Sequence, residues 1–104
     1  MDTTRLEKLL QSLAADPADA FTRYLVALEL TKLNRPEEAL PHFERLVAEH
    51  PAYVPTYYQY AHLLESLNRI PEAIAMYRAG LQAARHAGNH HAASELQAAL
   101  DLIE

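Results

Sequence analysis

Apolar residues recur along this chain at intervals of three and four. Tyr24, Ala27, Leu28 and Leu30 form one such stripe, and Ala39, Leu40, Phe43, Leu46 and Val47 form the next. That period is the mark of an amphipathic helix. Between the stripes stand signals that stop one helix and start another. Asn34 tolerates the left-handed conformation that ends a helix, and Pro36 follows in the first turn of the next, where a missing N–H costs little. The same signals return as Asn68 and Pro71, and Pro55 opens a further helix. Pro41 falls about one turn inside its helix, where it should remove a hydrogen bond and bend the axis slightly. After a long helix from about Pro71 to Ala87, "HAGN" (86–89) supplies a terminal glycine and an asparagine N-cap for a last helix, "HHAASELQAALDLI".

The signals repeat because the chain repeats. "LNRPEEAL" (33–40) returns 34 residues later as "LNRIPEAI", and across residues 17 to 39 11 of 23 positions are identical at that offset. Composition alone would give about one or two, so the period is structural. Leu6, Leu9 and Leu13 lie 34 before Leu40, Phe43 and Val47. Residues 2–15 therefore read as the second helix of a unit whose first is absent. The sequence predicts an all-α chain of about six helices in one domain: an N-terminal capping helix (2–15), one repeat over 17–50, a second over 51–87 with an extended second helix, and a C-terminal capping helix over 89–104. Caps are expected because an internal face left open would be apolar.

A 34-residue helix-turn-helix repeat of this kind resembles the tetratricopeptide repeat family, and the resemblance covers nearly the whole chain. Ala27 and Ala61 stand where the family usually has Gly; Ala39 with Phe43, and Ala73 with Tyr77, match its second helix; Pro17 and Pro51 match its closing prolines. The family's early Trp is met by Tyr57 in one unit and Arg23 in the other, and its later small residue by Gly80 and Leu46. Arg85 replaces a closing proline, which lets that helix run on. The resemblance implies a right-handed superhelix of antiparallel helix pairs whose first helices line a concave groove. Short free-standing bacterial proteins of this layout are familiar members, and the resemblance to them implies protein binding without chemistry.

By that resemblance the groove carries Phe21, Tyr24, Leu28, Thr31 and Lys32 from the first pair, with Tyr58, His62, Glu65 and Ser66 from the second. Tyrosine suits such a face, offering a large rigid area and a hydroxyl at small entropic cost. The competing reading packs Tyr24 and Tyr58 between neighbouring helices. A known subtype of the family grips acidic C-terminal peptides with Lys, Asn and Arg. Here Tyr24, Leu28, Tyr58 and His62 occupy those places, so that clamp is absent. An aromatic and aliphatic floor favours an amphipathic helix or an extended apolar segment of a partner. The alternative is a self-associating structural module, a homodimer that uses the same apolar surface.

Composition narrows the rest. The net charge is −5, and nine Lys and Arg scattered over six helices make no basic footprint, so no nucleic-acid partner is expected. No segment approaches the roughly 20 apolar residues of a membrane span, and the N-terminus lacks the features of a secretory signal. With no cysteine to form disulfides, the expected location is cytoplasmic. Among six histidines, His86, His90 and His91 cluster and His91 stands four before Glu95. Gly88 and Asn89 interrupt the helix between them, so no metal and no cofactor are expected. Ser94, Glu95 and His91 could be drawn as a triad, but a helix interior supplies no free N–H groups for an oxyanion. No enzyme is expected.

Overall fold

The computed structural model describes residues 2–104, and among them the chain forms α-helices only: α1 (Thr4–Ala15), α2 (Ala20–Lys32), α3 (Pro36–Glu49), α4 (Pro55–Ser66), α5 (Ile70–His86) and α6 (His90–Ile103). They fall into two compact units, one ending at His50 and the other running Pro51–Glu104. In the first, α1 packs on α2 and α2 on α3; in the second, α4 packs on α5 and α5 on α6. The helices expected over 2–15, about 71–87 and 89–104 are α1, α5 and α6, whose ends differ by one or two residues, a difference of the size that terminal fraying produces.

The turns behave as the residue types demand. Asn34 and Asn68 take φ of 59° and 60°, and Gly88 takes 70°. One residue on, the N–H groups of Arg35, Arg69 and Asn89 donate back to the carbonyls of Leu30, Leu64 and Ala84 at 2.9, 2.9 and 2.8 Å. This closes each helix with a six-to-one bond and satisfies carbonyls that would otherwise be orphaned. The next helix then starts at once. Pro36 opens α3 and Pro71 sits in the first turn of α5. Arg35 and Arg69 each reach forward three residues and grip Glu38 and Glu72 with two hydrogen bonds. Those bonds hold both carboxyls below the usual carboxylate range. The Asn89 side chain caps α6 by accepting from the Ala92 N–H at 3.0 Å. Pro41 lies inside α3 without ending it. It is exposed, so solvent can serve the carbonyl that it leaves without a donor.

Positions 34 apart fill equivalent places in the two interiors. Ala27 and Ala61, Leu30 and Leu64, Ala39 and Ala73, and Phe43 and Tyr77 are all 3% exposed or less. Burying a side chain of the size of Leu or Phe contributes about 1.5–3 kcal/mol, so these apolar pairs carry much of each unit's stability. The alanines are small where helices must approach one another. A close approach is at Gly80, where a β-carbon would run into the Cβ of Tyr57 and come within 3.1 Å of the Leu96 side chain. Glycine is therefore required there by space rather than by backbone conformation.

Candidate functional site

The residues expected on a binding face fall in two groups. On α2, Phe21 is 56% exposed. Tyr24 and Leu28 are half-buried, and Lys32 is exposed at the helix end. The Thr31 hydroxyl donates to the Ala27 carbonyl of its own helix at 2.8 Å. On α4, Tyr58 is 37% exposed, whereas its neighbours Tyr57 and Tyr60 are buried. His62 is exposed and Glu65 half-buried. The Ser66 hydroxyl donates to the Leu63 carbonyl.

The α4 residues meet one another. The rings of Tyr58 and His62 stack, 6.3 Å between centroids and 17° between planes, as their one-turn spacing allows. Tyr58 also meets Tyr77 of α5 edge to face at 6.0 Å. The Tyr77 hydroxyl in turn donates to Glu65 Oε1 at 3.2 Å. Burial, with the Glu65 carboxylate beside it, pushes the Tyr77 phenol well above its ordinary range, so it remains a donor at any physiological pH. These groups line a cleft of about 330 Å³ that α6 completes with Glu95, Ala98, Ala99 and Leu102. Leu102 is 86% exposed at its rim. The participation of α6 is the part that sequence reasoning missed. Its only trace in the sequence was the polar and apolar alternation of the last helix, which does not say against which residues that helix lies.

A second polar arrangement sits in the first unit, where the family's early aromatic is replaced. Arg23 is 6% exposed. Its Nη2 donates to the Pro17 carbonyl at 3.0 Å, and its Nη1 lies 3.0 Å from His42 Nδ1. A guanidinium has only donors, so Nδ1 must accept, and His42 is the neutral Nε2–H tautomer. Burial lowers the His42 pKa, and the charges of Arg23 and Arg45 lower it further. In the second unit Tyr57 does the equivalent work: its hydroxyl donates to the Pro51 carbonyl at 2.5 Å. Both side chains tie the start of their helix pair to the proline six residues before, so Arg23 substitutes for the aromatic in hydrogen bonding as well as in volume. These are structural bonds and offer nothing to a ligand.

His91 Nε2 lies 3.3 Å from Glu95 Oε1, as the i, i+4 spacing implies. Among the described residues no three His, Asp or Glu side chains come together as metal ligands would. No described helix is long and apolar enough to cross a membrane.

The 34-residue hairpins, their buried alanines and the Gly80 crossing agree with what comparison with known proteins finds. The family model for the tetratricopeptide repeat matches residues 30–100. Two solved structures of a tetratricopeptide repeat domain protein from Salinibacter ruber are similar. The solution NMR structure is 44% identical, covers 86% of this chain and 90% of its own, and superposes with a TM-score of 0.82. The crystal structure is also 44% identical, covers 79% of this chain and 91% of its own, and has a TM-score of 0.75. No protein of curated function matches. The fold these structures share is an all-α helical repeat, a type used for binding other proteins and characteristically without catalysis. With a family model matched over most of its length and the same helix-turn-helix signals in both repeats, the chain belongs to the tetratricopeptide repeat family.

Proposed function

We propose that this protein is a non-catalytic adaptor, which binds a helix or an extended apolar segment of another protein on the faces of its first helices. The observation that carries this reading is the α4 face. There Tyr58 keeps more than a third of its surface in solvent although Tyr57 and Tyr60 beside it are core, and it stands with His62 and Glu65 in an open cleft. An exposed rigid aromatic above a concave surface is the usual anchor of a protein interface. On α2, Phe21, Tyr24, Leu28, Thr31 and Lys32 contribute to binding by the same repeat register. The location proposed is the cytoplasm.

The test is affinity capture from the source cell with Tyr58→Ala as the control. Truncating an anchoring aromatic costs about 2 kcal/mol or more. The variant should therefore lose at least tenfold in capture while keeping its helicity and melting temperature. Unfolding of Tyr58→Ala would make that residue core. A stable variant that still captures every partner would place the binding surface elsewhere. Light scattering at two concentrations completes the test, since a mass that doubles with concentration and reverts in Tyr58→Ala would assign the face to a homodimer.

A further inference from the structure

The cleft of α4, α5 and α6 is more than an apolar anchor point, because its charges are of one sign. Glu65 enters from α4 and Glu95 from α6, and no lysine or arginine lines it. Glu65 is held in place: it is half-buried, and its Oε1 accepts the Tyr77 hydroxyl, which leaves Oε2 for another donor. Glu95 is at the surface, with His91 as its one-turn neighbour. The Tyr58 and Tyr77 rings line the same cleft as the two carboxylates, with Tyr58 partly open to solvent. Two alanines keep the α6 wall low, and Leu102 projects at the rim.

We infer that this cleft receives an arginine side chain of the partner polypeptide; the inference rests on the adaptor function proposed above and specifies what that adaptor binds. Three features favour a guanidinium. Aromatic faces attract a cation, and a planar one can lie flat on the open Tyr58 ring. A guanidinium fork can give donors to two carboxylates at once, where an ammonium acts as a point charge. Finally, the methylene stem of arginine needs apolar cover, which the alanines and Leu102 supply. The chain's net charge of −5 favours approach of a basic segment. Tyr77 is a positioning residue: its hydroxyl fixes the Glu65 carboxylate and does not touch the guest.

The probes are terminally blocked peptides of one Ala- and Leu-containing sequence, with arginine, lysine or citrulline at the central position. Each is titrated into the ¹⁵N-labelled protein. The arginine peptide should shift the resonances of Tyr58, His62, Glu95 and Leu102. Citrulline keeps the shape and removes the charge, so it should bind at least tenfold more weakly, with lysine between the two. Added salt should weaken the arginine peptide and leave the citrulline peptide nearly unchanged. Glu65→Gln still accepts from Tyr77, and Glu95→Gln lies at the surface. Each should lose arginine-peptide affinity several-fold without a change in melting temperature. If citrulline binds as tightly as arginine at this cleft, the inference is overturned and the adaptor function stands. Shifts from the arginine peptide confined to other helices would also overturn it. If no peptide shifts the cleft and Tyr58→Ala still captures every partner, both fail.

Discussion

The α2–α3 and α4–α5 hairpins share their period, their turns and their alanines, yet they are held together differently. In α2–α3 the joint is polar. Arg23 is buried against His42 and the Pro17 carbonyl, and Asp19 caps α2 and takes the Thr22 hydroxyl; on the side away from that joint, Glu29 of α2, 7% exposed, holds Arg5 of α1 at 3.3 Å. In α4–α5 the joint is aromatic and tight. Tyr57 stands in the place of Arg23, Leu63 in the place of Glu29, and Gly80 lets Tyr57 close on α5. The repeat thus prescribes backbone and small residues, while the large central positions can be filled by either chemistry. A polar joint brings in titrating groups, and a tight one brings in steric intolerance.

The largest effects should come from the packing side of this contrast. Leu46 and Gly80 occupy the same repeat position, the first fully buried and the second without room for a methyl group. Leu46→Ala should cost about 2–5 kcal/mol through lost burial and the cavity left behind. Gly80→Ala adds only one carbon, and alanine favours a helix by about 1 kcal/mol. It should still lose about 1–3 kcal/mol net, because the carbon meets the fixed Cβ of Tyr57 and not a flexible tip. Chemical denaturation of both variants checks this; a Gly80→Ala protein more stable than its parent would mean the second joint is not tight.

A smaller effect, confined to the polar joint, should depend on pH. The folded-state pKa of His42 is depressed, by burial first and then by Arg23 and Arg45. The unfolded chain therefore binds the proton more readily, and stability rises with pH across the gap between the two values. The stabilising contribution is complete above the unfolded value of about 6.5 and is lost as pH falls towards the folded one. Protonation would also set a second cation against buried Arg23 and remove the acceptor for its Nη1. The melting temperature should thus begin to fall as the pH drops below about 6.5, before the carboxylates titrate. His42→Asn, which offers an acceptor and does not titrate, should abolish most of that slope. An unchanged slope in the variant would assign it to another histidine.

The smallest effect separates two threonines. Thr22 gives its hydroxyl to Asp19, whereas Thr56, at the equivalent position, is fully buried with Oγ1 lacking a partner. Tyr53 stands in the place of Asp19 and brings no carboxylate. Leaving a buried hydroxyl unpaired costs about 1–3 kcal/mol. Thr56→Val should therefore raise stability by about 1 kcal/mol, and Thr22→Val should lower it by a similar amount. Equal shifts of the same sign on thermal melting would sink the distinction.

What could be read from the sequence divides along the same line as these effects. The turns were legible because Asn34, Asn68 and the Gly88–Asn89 pair act on their own backbone, whatever packs nearby. Whether Tyr58 faces a groove or the core was not legible in the same way, because it depends on which helices pack beside α4. Arg23 was visible only as a departure from the family pattern; that it would be buried depends on His42, 19 residues away and on another helix. The cleft was half legible for the same reason. Tyr58, His62 and Glu65 share one face of one helix, but Tyr77, Glu95 and Leu102 join them only through the way α5 and α6 pack. No local signal carries that information.

The left-handed turns have a kinetic consequence. Asn34, Asn68 and Gly88 reverse the chain in a few residues, so the helices they join, α2 with α3, α4 with α5 and α5 with α6, pack as neighbours in sequence. Contacts made over such short loops lose little chain entropy before they form. Proteins dominated by local contacts fold in microseconds to milliseconds. In such a chain each hairpin can serve as a nucleus, and Asn34, Asn68 and Gly88 are the residues that let each one close over so short a loop.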